Sequence, residues 1–159
     1  MIRGFEPTHP LPPEGDDHFQ WKAALQSGFI AGVVLLLVPY GSPWSALTFF
    51  VPVILGRRLP DTSGLPLLLS WVVHLIVSLV YGLVVSRVVA GIGHQRALLA
   101  GGVTGLLLYI LNLVVISLWW PALRGSETAV VFAHLVFGLI AAGAYRGLLR
   151  RRAVSLSSQ

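Results

Sequence analysis

Two histidines, His74 and His134, lie deep inside long uncharged stretches, and they are the only readily titratable side chains so placed. An ionisable residue in such surroundings is a functional candidate by default. Counting back from Arg87 and Arg146, the two sit 13 and 12 residues from the nearest basic boundary, so their depths nearly match. Two neutral imidazoles at one depth on neighbouring helices could ligate the iron of a b-type haem, each second ring nitrogen being held by a serine or a carbonyl. They could also bind another ligand or respond to pH. No arginine adjoins either histidine to receive haem propionates, and no third or fourth ligand for a metal ion is evident. The plainer expectation is that each histidine hydrogen-bonds across helices, to Asn112 or to a serine. Catalysis finds no support. No long apolar stretch contains Asp or Glu, and Ser, His and an acid never converge at a useful spacing.

The residues around the histidines follow helical spacing. Ser70, His74, Ser78 and Gly82 fall at four-residue steps and make one narrow small-and-polar stripe, and His134, Gly138 and Ala142 make a second. Both stripes are expected to face a bundle interior, because polar atoms turned towards lipid are costly. Asn112 is the only carboxamide deep in a predicted span, and with Ser70 and Ser78 it completes the expected polar interior. Gly28-x-x-x-Gly32 and Gly101-x-x-x-Gly105 put small residues on one helix face, where two backbones can approach closely.

Composition names the solvent. Of the 159 residues, 55% are hydrophobic and only 11% charged, with a mean hydropathy of +0.80. Soluble domains carry about 25% charged residues, so lipid must bathe most of this chain, and its length allows one domain. No cysteine is present, which removes disulfides, iron–sulfur ligation and thiolate zinc sites. The net charge of +5 comes from basic residues at the ends of apolar runs, a topology signal with no nucleic-acid-binding segment behind it.

The chain divides into a polar tail over 1–20, a four-span domain over 21–147 and a basic tail over 148–159. His9 and His18 fall in the first tail and read as solvated. Spans are predicted at about 23–40, 65–85, 98–118 and 128–144, each near the 20 or so residues that cross a bilayer. A further apolar piece over 46–55, broken by Pro52, is too short to cross and is expected to be interfacial or re-entrant.

Internal repetition ties the spans together. Ala24-Leu25-x-Ser27-Gly28-x-Ile30-Ala31-Gly32 is echoed 73 residues later by Ala97-Leu98-x-Ala100-Gly101-x-Val103-Thr104-Gly105. Ser78-Leu79-Val80-Tyr81-Gly82-Leu83 is echoed 56 residues later by His134-Leu135-Val136-Phe137-Gly138-Leu139. The fold class expected is therefore an all-α integral membrane four-helix bundle built from two tandem helical-hairpin repeats. With a cytoplasmic N-terminus, eight basic residues fall inside and three, Arg57, Arg58 and Arg124, outside, so both ends are placed in the cytoplasm.

The order of Trp21-Lys22-Ala23-Ala24, Gly28 to Gly32, Gly41-Ser42-Pro43-Trp44, His74 with Tyr81-Gly82, and His134-Leu135-Val136-Phe137-Gly138 resembles a group of small bacterial four-span membrane proteins of unknown function. Members of that group often carry the label sodium:proline symporter, a label that implies ten or more helices. The resemblance covers roughly residues 20 to 146, implies a multi-pass inner-membrane location, and lends no active residue. The function expected is non-enzymatic: a structural or accessory protein whose partners are the bilayer and, through small-residue faces, further copies of itself or a larger membrane complex. The alternatives are a haem-binding electron-transfer bundle using His74 and His134, and a small oligomeric transporter or channel.

Overall fold

The computed structural model describes residues 19–37, 64–119 and 127–157. They form four α-helices: α1 (Trp21–Leu37), α2 (Gly64–Val89), α3 (His94–Trp119) and α4 (Glu127–Ser157). Apolar residues surround α1, α2 and α3 on all sides, the pattern of an element with no watery face, whereas α4 is apolar until its arginines begin at Arg146. Three of the four are long and apolar enough to cross a membrane, while α1 is a shorter apolar helix of 17 residues. The expected all-helical architecture is present. The segment 46–55 and the first 18 residues lie outside the described residues.

Large side chains point outward and small ones inward. Phe29, Trp71, Ile76, Val103, Leu107, Leu111 and Phe132 are exposed, whereas the buried set is dominated by Ala23, Ala24, Ala31, Ala97, Ala133, Ala141 and Ala142. That arrangement suits a hydrocarbon solvent. Bulky apolar groups gain nothing by hiding from lipid, and close backbone contact through small residues supplies the cohesion.

The most extensive contacts join α3 to α4 and α1 to α2, followed by α1 to α4 and α2 to α3. A short turn over 90–93 links α2 to α3, and Gly91 takes the left-handed conformation (φ 75°) that ends a helix most cheaply at glycine. Both termini of the bundle meet at one end. Arg152 near the end of α4 donates to Gln20 Oε1 just before α1 (2.8 Å), and the Gln20 backbone N–H donates to the Tyr145 hydroxyl (3.1 Å). Tyr145 is completely buried there, stacked on Phe19, whose ring also carries the Arg87 guanidinium at 5.4 Å.

One boundary differs from the sequence reading. The fourth span was expected to stop near Ala144, yet α4 runs unbroken to Ser157. The arginines that mark the end of an apolar run are themselves good helix formers, so the charge changes without the backbone changing.

Candidate functional site

The interior polar groups divide between the two closely packed helix pairs. In α1–α2, His74 Nε2 lies 3.1 Å from the Gly32 carbonyl oxygen and 3.4 Å from Ser78 Oγ. A carbonyl can only accept, so His74 carries its proton on Nε2. Nearer the closed end, Ser27 Oγ donates to the Ala24 carbonyl (2.8 Å) and therefore accepts from Ser86 Oγ (3.0 Å). Both serines are fully buried.

A second constellation spans α2, α3 and α4. His134 Nδ1 donates to the Val130 carbonyl one turn earlier (2.8 Å), which leaves Nε2 as an acceptor for the Asn112 amide N–H (2.8 Å). The Asn112 carbonyl oxygen in turn accepts the Tyr81 hydroxyl. Direction is fixed along the whole chain, from Tyr81 through Asn112 and His134 to the α4 backbone. Three rings enclose it: Tyr109 meets His134 edge-on at 5.8 Å, Tyr81 lies 6.2 Å from His134, and Phe137 packs edge-on against Tyr81 at 6.2 Å.

The glycines set how near these helices come. A Cβ on Gly28 would fall 2.5 Å from the Ser78 carbonyl oxygen and 3.0 Å from the Gly82 Cα. In the other pair, a Cβ on Gly101 would fall 2.5 Å from the Gly138 carbonyl oxygen, and one on Gly105 would strike the His134 carbonyl. Gly32 faces the Ser78 side chain. Gly28, Gly32, Gly82, Gly101, Gly105 and Gly138 are thus all engaged within the molecule.

Of the residues singled out from the sequence, Asn112 and His134 bond directly, and Ser78 bonds to His74. The two histidines attach to different helix pairs, His74 donating through Nε2 and His134 through Nδ1. Ser70 belongs to α2, but its side chain lies outside the described residues. For a haem the donor set fits poorly, because both ring nitrogens of His134 are hydrogen-bonded and iron could bind Nε2 only by displacing Asn112. Among the described residues no group of three or more His, Cys, Asp or Glu side chains gathers to hold a metal ion. Four contributors escaped the sequence reading of the site. Tyr81 and Ser27 stood in the repeated segments without a role, Ser86 is an ordinary serine at a span end, and Tyr109 has no marking at all.

Fold and site together define a class: a helical bundle of membrane type, with a small-residue interior and its described polar groups paired inside. Comparison with protein families, with curated proteins and with solved structures finds no match for the chain.

Proposed function

We propose that this chain is a non-enzymatic, multi-pass inner-membrane protein of structural or accessory role, a prepacked bundle that associates through its outer faces with further copies or with a larger membrane complex. The observation that carries the reading is the completeness of the interior. Among the described residues no buried side-chain nitrogen or oxygen lacks a hydrogen-bond partner, and the six glycines are spent on internal contacts. Polar groups satisfied by one another hold helices together and leave little to offer a substrate.

We read the bundle as two tandem hairpins. Gly28 against Gly82 and Gly101 against Gly138 pair residues that correspond in the repeated segments. Tyr81 and Phe137 also correspond, and they touch each other. Equivalent residues can meet only near the axis that relates two halves, so α2 and α4 would flank a pseudo-twofold along the membrane normal. Both ends would face the cytoplasm, following the bias of basic residues.

The test is isolation from native membranes in mild detergent, with size and visible absorption recorded together. The reading expects a colourless assembly larger than one chain, whose size is unchanged in His74→Ala and His134→Ala. A Soret band lost in both variants would replace it with the haem reading. A lone chain with no partner under gentle extraction would remove the accessory role.

A further inference from the structure

The end of the bundle where α1 begins and α4 finishes carries an unusual charge distribution. Lys22, Arg87, Arg96, Arg146, Arg150, Arg151 and Arg152 gather there, while the one acidic residue within the described helices, Glu127, is the first residue of α4, at the opposite end. The interactions these cations make are with neutral groups: Lys22 lies over Trp21 (5.6 Å), Arg87 over Phe19, and Arg152 donates to Gln20. Among the described residues no carboxylate pairs with these cations, so within the described bundle their charge is uncompensated.

Beside them the described residues leave the outer surface of α1 open. A shallow groove of about 450 Å³ is lined by Leu25, Gln26, Phe29 and Ile30 of α1, with Leu79 of α2 and Leu148 of α4. Its position relative to the cations follows from helix geometry. Lys22 lies one turn below Leu25 and Gln26 towards the closed end, and Arg151 and Arg152 lie one turn below Leu148 towards the same end. From Lys22 to Ile30 the rise along α1 is about 12 Å, at roughly 1.5 Å per residue. A leaflet contributes about half of a hydrocarbon layer roughly 30 Å thick, so the groove runs the depth of one leaflet with its cationic mouth at the boundary.

We propose that this groove is a binding site for an anionic phospholipid, one acyl chain lying along Leu25, Phe29, Ile30 and Leu148 and the headgroup phosphate resting between Lys22 and Arg151. Trp21, exposed at the same mouth, supplies the amphipathic ring that prefers the headgroup level. Basic pockets between spanning helices recognise anionic headgroups by this chemistry. Arg146 and Arg150 belong to the same helix but lie about half a turn away from Leu148, so they enrich the surface charge without reaching the groove. The proposal rests on the membrane reading alone and is independent of any accessory role.

Native mass spectrometry of the detergent-solubilised full chain tests it, with phosphatidylglycerol and phosphatidylcholine as probes. The chain is expected to retain one phosphatidylglycerol in preference to phosphatidylcholine. Lys22→Gln with Arg151→Gln should reduce that preference by roughly 30-fold, at about 1 kcal/mol for each basic residue near a membrane surface. Arg146→Gln with Arg150→Gln removes the same net charge and should change it little. Equal losses in the two double variants would mean diffuse attraction and overturn the site. Displacement of the lipid by millimolar inorganic phosphate would also overturn it, since a free anion would then suffice. Lys22, Arg150 and Arg151 are exposed and Arg146 is half-buried, so a second check is that both double variants keep the unaltered chain's melting temperature.

Discussion

Asn112 is the residue on which the buried polar chain turns. It alone links Tyr81 of α2 to His134 of α4, and no water is at hand in a hydrocarbon interior to replace it. Asn112→Leu is expected to lower thermal stability by about 1–2 kcal/mol, towards the upper end of what interhelical hydrogen bonds contribute in membranes, because two partners are orphaned at once. Thermal unfolding in detergent checks this, and an unchanged midpoint would dismiss the chain as incidental. The geometry also fixes a tautomer. Nitrogen NMR of labelled His134 should show the proton on Nδ1 in the intact protein and a mixed population in Asn112→Leu. Proton occupancy on Nε2 in the intact protein would contradict the assigned bond directions. The sequence marks His134 and Asn112 because polar residues stand out in apolar runs. It conceals their pairing, since a bond between residues 22 apart on antiparallel helices depends on register, and register is set by glycine contacts made elsewhere.

Between helices, the glycines act as spacers whose value depends on what lies opposite. Gly105→Ala drives a methyl group into the His134 carbonyl and should destabilise by about 1–3 kcal/mol, the usual cost of overpacking. At Gly147 an added Cβ meets nothing within 4 Å. Gly147→Ala should therefore be neutral or stabilising by up to about 1 kcal/mol, from helix propensity alone. Paired melting curves separate the two signs, and a similar loss at both would refute the spacer account. The four helices were legible in advance because apolar runs and prolines bound them, and the glycine spacing foretold close packing. The far end of α4 was not legible, since a change from apolar to basic residues looks like an end when only solvent preference is read. Backbone propensity carries the helix on through the arginines.

At the level of the whole molecule, the contacts of Gln20 with Tyr145 and Arg152 bring the beginning of α1 to the end of α4. An even number of crossings is the simplest consequence. Reporter fusions at the two ends should therefore give the same answer, the cytoplasmic one under the reading proposed above, and opposite answers would require one helix not to cross. The two tightest interfaces lie within α1–α2 and within α3–α4, so each pair should survive as a unit. Residues 1–92 and 93–159 expressed as separate chains are expected to co-purify and regain the melting behaviour of the intact protein. Failure to associate would show that the turn at Gly91 is needed for assembly as well as for connection.

The outward placement of bulk has an evolutionary consequence. Val103, Leu107 and Phe132 turn more than half of their surface outward, and any apolar side chain meets lipid about equally well. These positions are free to drift among Leu, Ile, Val and Phe. The ancestry of this fold is instead written in its smallest residues, Ala24, Gly28, Gly82, Gly101, Gly138 and Ala142, where one added methyl group would be seen and rejected. A distant cousin would then share this chain's gaps long after it had stopped sharing its substance.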